Sequence, residues 1–375
     1  MLNASMAAAF NWQPVILGAL ADQLNFDSQQ VGLIVAVELA GVALAGVLAT
    51  LWVRLWRWRW VAGLSTGIMI AGNLGTAWLI QQSIMNNAAS ETFSTLVFLR
   101  LLMGVFGTGT AYATSIAVIS GTQRLSRNFS WVIIAQVLVS ISGLALLPAL
   151  IQSWGLAAVY LSLAAVGAVA LVGIRYLPRG SAHHETRAED SGPDASRRSF
   201  VALGSLATWY VGIGAFWAFA ERLGDSLGIP ATAIGQALAL STVIGLLGAL
   251  SSALLGDRLG RIVPYAIGSA GQLLAMLLIV GMARWTHFLV AVSVHQIFWN
   301  LTIPYVLSLI SDMARGGRAV VLIPTAQTTG LSLGPVLGGS LIVSFGLGAI
   351  PALVAATMLL SMVIYLPLAR RFSTT

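Results

Sequence analysis

Long apolar runs separated by short polar punctuation fill this chain almost from end to end. A helix needs about 20 apolar residues to cross ~30 Å of hydrocarbon. Twelve runs approach or exceed that length, at 6–23, 29–52, 60–81, 93–120, 129–151, 156–177, 200–221, 231–255, 262–283, 286–311, 319–344 and 347–369. None shows the strict alternation of a half-buried strand, so the pattern predicts an all-α membrane protein of twelve transmembrane helices. Between the sixth and seventh runs the pattern fails. Residues 178–199 interleave Arg179, Arg187, Arg197 and Arg198 with Glu185, Glu189, Asp190 and Asp194, broken by Gly192 and Pro193. Such a segment has too little apolar surface to order itself and reads as a solvated linker. The expected organisation is a six-helix bundle at 1–177, the linker, and a second six-helix bundle at 200–375. The first run carries no basic flank and no cleavage pattern, so it is read as a span.

Composition agrees with lipid as the main solvent: 58% of the 375 residues are hydrophobic and 8% are charged, against about a quarter charged in a soluble domain. There is no cysteine, which excludes disulfides and thiolate metal sites. All 19 basic residues are arginine. Without lysine there is no phosphate-gripping Walker lysine and no Schiff base. The net charge of +7 does not point to nucleic acid, because the arginines sit at the ends of apolar runs. Sixteen of the 19 fall on one side when the loops are assigned alternately; Arg222 and Arg284 fall on the other, and Arg100 lies inside a span. The positive-inside rule then puts both termini and the linker in the cytoplasm, in a multi-pass protein of the plasma membrane, or of the cell inner membrane in a bacterium.

The two halves carry similar stretches. Ala49 to Arg57 reads ATLWVRLWR and Ala253 to Arg261 reads ALLGDRLGR; Ala21-Asp22-Gln23-Leu24 matches Ala220-Glu221-Arg222-Leu223. Internal repetition across a seam is a common build of secondary transporters. With these residues the chain resembles the major facilitator superfamily over essentially its whole length. Asp257-Arg258-Leu259-Gly260-Arg261 is similar to the family's loop motif G-x-x-x-D-R-x-G-R, with Ala253 for the leading glycine, while the first copy keeps only Arg54 and Arg57. Arg100, Gly104, Gly107 and Gly109 resemble the family's fourth-helix arginine-glycine pattern, and Gly334-Pro335 with Gly338-Gly339 resembles a G-P-x-x-G-G motif, here in the eleventh span rather than the fifth. The resemblance implies two facing bundles, a midplane site between them and alternating access. By analogy Asp257, Arg258 and Arg261 become inner-gate candidates, with Asp257 latching the amino end of the fifth span. Asp22, Glu221 and Arg222 are outer-gate candidates.

Charge inside a span costs about 2.5–3.5 kcal/mol and so calls for a partner or water. Glu38 lies ten residues from Ser28 and Arg100 nine from Glu91, about 14–15 Å deep in each case. They can share a layer as a proton-coupling pair or as a fixed salt bridge. Counting inward to that depth elsewhere gives a mixed polar and aromatic set: Asn11, Trp12, Gln13, Gln136, Phe216, Trp217, His295, Gln296, Trp299, Asn300 and Gln327. His295 with Trp299, and Gln296 with Asn300, are spaced for one helix face. The glycines Gly330, Gly334 and Gly338 make a stripe for close helix approach.

The expected activity is therefore secondary transport of a small amphipathic organic molecule, neutral or weakly anionic, driven by a proton gradient. No cofactor and no metal is implied; the partners are the substrate, protons and the lipid bilayer, and the protein is expected to act as a monomer. Two other classes compete. A transport-silent receptor or assembly factor of the same fold is one. An intramembrane hydrolase using Ser332 and His295 is the other, since Gly330-Leu331-Ser332-Leu333-Gly334 matches G-x-S-x-G; but that motif works on a strand-to-helix elbow, not within a glycine-rich span.

Overall fold

A computed structural model describes residues 2–52, 55–86, 88–120, 125–177, 193–256, 258–281, 284–313 and 322–372. Among them every regular element is helical, and eleven helical stretches are long and apolar enough to cross a membrane. The chain divides into two compact units, Met1–Glu185 and Thr186–Thr375. Residues 178–192 of the expected linker lie outside the described residues. Helix α9 starts at Pro193, earlier than the apolar pattern marks it, because proline suits a first helical position, where its missing N–H is not needed.

The first unit holds α1 (Leu2–Asn11), α2 (Gln13–Leu24), α3 (Ser28–Trp52), α4 (Trp58–Asn86), α5 (Ala89–Leu102), a π-helical segment (Met103–Gly109), α6 (Thr110–Ser120), α7 (Leu125–Trp154) and α8 (Ala157–Gly173). The expected first span is two short helices. Trp12 between them leaves helical geometry, with φ −91° and ψ 2°. The cause is Pro14, which has no N–H to donate back into the preceding turn. At about 1.5 Å per residue the two pieces are about 15 and 18 Å long, so only together do they cover the hydrocarbon core. Asn25 in the left-handed region ends α2. Asp27 and Gln30 then form a reciprocal capping box at the start of α3: the Gln30 N–H donates to Asp27 Oδ1 at 2.8 Å and the Asp27 N–H to Gln30 Oε1 at 3.0 Å.

The fourth span is likewise interrupted. Its π segment packs on α3 and α4, and the approach is close because Gly41 and Gly104 face each other. A Cβ at Gly41 would stand 2.8 Å from Leu101 O and Val105 N, and one at Gly104 would press on the Glu38 backbone.

The second unit holds α9 (Pro193–Asp225), α10 (Ala231–Leu255), α11 (Ile262–Val280), α12 (Trp285–Met313), α13 (Ile323–Phe345) and α14 (Ala349–Phe372). Helix α9 is its core. Every residue from Trp209 to Glu221 is buried, as suits a helix apolar all round. It packs on α13 and α14 and also meets α10 and α12. The stripe Gly330, Gly334 and Gly338 supplies the α13 contact: a Cβ at Gly334 would lie 2.5 Å from Val211 O and Ala215 N, and one at Gly338 3.1 Å from the Phe219 ring. The turn from α13 to α14 is made by Gly346, whose φ of 76° a side chain would disfavour.

Candidate functional site

Two groups of buried polar side chains stand out, one in each unit. In the first, Glu38 on α3 and Arg100 on α5 form an ion pair, with the guanidinium Nη2 and Nε both donating to Glu38 Oε2, the latter at 3.1 Å. Both are buried, at 7% and 3% exposure. Two more helices and the π segment complete the surround. Asn73 on α4 accepts from Arg100 Nη1 at 3.0 Å, and its own amide N–H is held by Met69 O. Met103 Sδ lies 3.5 Å from the same Nη1. The Tyr160 ring on α8 lies under the guanidinium, 5.2 Å from Cζ to centroid. Thr108, in the π segment, points its hydroxyl at Glu38 Oε1 from 3.4 Å. The charges are thus turned inward among α3, α4, α5 and α8. Taking away either partner would leave a buried charge uncompensated, at a cost of about 3–5 kcal/mol.

The remaining candidates of the first unit are held by protein. Trp12 is buried and its indole N–H donates to Val139 O on α7 at 2.8 Å, in a notch opened by Gly143. Gln136 donates to Asn3 Oδ1, and Asn3 donates to Ser115 Oγ at 2.8 Å, so a polar chain ties α7 to α1 and α6. Gln13 is fully enclosed just past the break, and neither end of its amide has a hydrogen-bond partner among the described residues. Asn11 is half-buried on the other side of the break.

In the second unit His295 on α12 lies against Phe216 on α9, with ring centroids 4.2 Å apart. Both are buried, as are Trp209 and Trp217 on α9 and Gln296 on α12. Gln296 and Asn300 turn toward α10, where a Cβ at Gly245 would meet the Gln296 Cβ at 3.0 Å and Asn300 Nδ2 at 3.1 Å. The Asn300 amide donates to Gln296 O at 2.8 Å. His295 and the Gln296 and Asn300 pair therefore turn to different neighbours, α9 and α10, because residues one apart in a helix differ by about 100°. Gln327 on α13 donates to the Tyr210 hydroxyl at 2.6 Å, and Tyr210 stacks edge-on with Trp209. Among the described residues, neither ring nitrogen of His295 has a hydrogen-bond partner. The same holds for the indole N–H of Trp209, the indole N–H of Trp299 and the amide oxygen of Gln296.

The family profile described as Major Facilitator Superfamily matches residues 1–220 and again 199–374. The chain belongs to the major facilitator superfamily. Membership makes it a transporter-family protein with a multi-pass membrane fold, and not an enzyme. Solved members with the same fold include the D-xylose-proton symporter, at TM-score 0.77 and 14% identity, covering 97% of this chain and 96% of that one. The nucleoside transporter NupG is similar at TM-score 0.72 and 13% identity, covering 99% and 97%. The xylose transporter XylE from E. coli in an inward open conformation gives 0.73 and 15%, covering 96% and 94%. No curated protein sequence matches the chain.

Within this superfamily member, the gate candidates spread over several settings. Asp257 lies outside the described residues. Arg258 is exposed, and Arg261 is half-buried at the start of α11. The loop between them and α10 is fastened by the Tyr305 hydroxyl, which donates to Gly256 O at 3.0 Å. Asp22 is exposed, and Glu221 is buried near the carboxyl end of α9. Arg222 pairs with Asp225 at 3.6 Å, within its own helix. Asn73, Met103, Thr108 and Tyr160 around the ion pair, and Trp209 beside Tyr210, are the side chains that depth counting missed. Thr108 and Asn73 carried no charge to flag them, Tyr160 read as ordinary apolar packing, and Trp209, a possible cavity residue by its place within a span, lies two turns from the level that was counted.

Proposed function

We propose that this chain is a proton-coupled secondary transporter of a small amphipathic organic molecule, working by alternating access, with Glu38 as the proton acceptor and Arg100 as its counter-charge. The observation that carries the reading is that each member of the pair has a second set of partners. When Glu38 takes a proton, Arg100 keeps the Asn73 oxygen, the Met103 sulfur and the Tyr160 ring. The neutral carboxyl keeps the Thr108 hydroxyl. A pair built only as a strut has no need of such reserves, since losing one partner of an isolated buried pair is prohibitive. A related fold named as a sugar-proton symporter supports the same driving ion. The arginine distribution supports cytoplasmic termini and placement in the plasma membrane.

The test is transport by purified protein in liposomes under an imposed pH gradient, with an internal pH dye and a panel of neutral and weakly anionic aromatic compounds. Wild type is expected to move a compound and protons together. Glu38→Gln, which keeps the shape and removes the titration, is expected to abolish accumulation driven by the gradient. Undiminished gradient-driven accumulation in that variant would show that Glu38 is a strut and the proton travels elsewhere.

A further inference from the structure

The first copy of the repeated loop motif does not keep the chemistry of the second. Trp52, Val53 and Trp56 stand where the second copy has Gly256, Asp257 and Gly260, while Arg54 and Arg57 match Arg258 and Arg261. The backbone follows the exchange. Gly256 and Gly260 take φ of 51° and 60°, which a tryptophan would be strained to adopt. In the first copy the Leu55 and Trp56 N–H groups both donate to Trp52 O, at 2.9 and 3.2 Å, so the chain runs on as a helical turn. One acid is lost and two indoles are gained.

The result is a basic and aromatic edge on the first unit. Arg57 is exposed just before α4. Arg59, in the first turn of α4, donates its Nε to Leu177 O, which brings it beside the short 3₁₀ turn Ile174–Tyr176 that follows α8. There Arg175 lies over the Tyr176 ring, 4.9 Å from Cζ to centroid. Trp60 and Tyr176 are each 76% exposed, and Trp56 59%. Among the described residues none of Arg57, Arg59 and Arg175 pairs with a carboxylate. The bundle has none to offer. Its acids are Asp22, Asp27, Glu38 and Glu91; Glu38 is taken by Arg100, and the other three belong to the far ends of the spans, Asp27 about 37 Å from Trp52 along α3. The linker that follows Leu177 carries four arginines against four carboxylates, so it brings no net negative charge.

We propose that this edge, Arg57, Arg59 and Arg175 with Trp56, Trp60 and Tyr176, binds the headgroup of an anionic phospholipid. A guanidinium whose Nε is fixed to a carbonyl still has its two terminal nitrogens for a phosphate. Indole and phenol rings settle at headgroup depth, and juxtamembrane arginines are drawn to anionic lipid. A zwitterionic headgroup would bring an ammonium with no carboxylate to meet it, whereas an anionic one brings only the charge that the edge lacks. The site stands whether or not Glu38 carries protons.

The experiment is lipid titration of the full chain in detergent micelles, read by native mass spectrometry. The probes are phosphatidylglycerol, phosphatidylcholine and soluble glycerol 3-phosphate. Phosphatidylglycerol should be retained saturably and more tightly than phosphatidylcholine, with no retention of glycerol phosphate at the same concentration. Arg57→Gln and Arg175→Gln, both at exposed positions, should each weaken phosphatidylglycerol binding about fivefold, one arginine's share near an anionic surface, and leave the lipid-free thermal midpoint unchanged. Trp60→Leu should weaken it as well. Arg284→Gln, which removes the same charge from an exposed position just before α12 in the second unit, should leave it unmoved. Equal retention of the two lipids would reduce the edge to ordinary aromatic anchoring, and an equal loss in Arg284→Gln would reduce it to net charge. Retention of glycerol phosphate as tight as that of the lipid would make it a site for free anions. Lipid binding that appears only after Glu185, Glu189, Asp190 and Asp194 are replaced by Gln would give the arginines to the linker. Each of these four results overturns the proposal.

Discussion

Gly104→Ala isolates the packing on which the ion pair depends. Gly104 sits in the π segment directly against α3, and an added Cβ would meet Glu38 backbone atoms, with the Cα at 3.1 Å and the carbonyl carbon at 3.0 Å and the oxygen nearer still. Carbon atoms rest at about 3.5–4.0 Å, so the two segments must part by about 1 Å. Backbone cannot swing aside as a side-chain tip can. The same displacement acts on the pair, since Glu38 rides on α3 and Arg100 lies in the last turn of α5, four residues before Gly104. An Nε to Oε2 distance of 3.1 Å stretched by that amount is no longer a hydrogen bond. Overpacking costs about 1–3 kcal/mol, and weakening a buried pair adds to it, giving a loss of about 2–5 kcal/mol in all. The assay is equilibrium unfolding of the purified protein in mixed micelles, alongside Gly75→Ala, where nothing lies within 4 Å of the added carbon. The control should be neutral or gain a few tenths of a kcal/mol from helix propensity, roughly. If Gly104→Ala unfolds within about 0.5 kcal/mol of wild type, a difference typical of sites with no special constraint, the α3 contact does not carry the pair as argued.

Trp12→Phe removes the indole N–H that reaches Val139 O and should cost about 1 kcal/mol in the same unfolding assay, with Gly143→Ala costing more because its Cβ falls on the indole; equal stability of both variants and wild type would mean that the break at Trp12 is not braced by α7. Asp27→Ala deletes one arm of the capping box that opens α3 and should lower stability by about 1 kcal/mol, a loss that Asp27→Asn should largely restore in the same titration.

The spans were legible because lipid forces a coarse signal: a run of apolar residues of fixed length leaves few alternatives. Glu38 and Arg100 were legible for the same reason, as charges where charge is costly, and counting from the outer edges put them at one level. The finer geometry depends on events between helices. Pro14 was in plain view in the first run, but a hydropathy reading weighs its side chain and overlooks its missing donor. The π segment has no signature of its own; Gly104, Gly107 and Gly109 acquire meaning only once α3 and α4 are pressed against them. On α12, spacing suggested one polar face, whereas Gly245 draws Gln296 and Asn300 toward α10 and leaves His295 to α9. The unpaired nitrogens could not be read at all, because whether an indole has a partner depends on every neighbour at once.

The broken first span has a bearing on how the protein is made. Neither α1 nor α2 can cross the hydrocarbon alone, and the indole that braces their junction reaches a carbonyl 127 positions further along the chain. During synthesis the opening segment therefore enters the bilayer without the partner that steadies its bend. Its final shape waits for a helix that the ribosome has yet to deliver, so the bend between α1 and α2 settles only once α7 is in place.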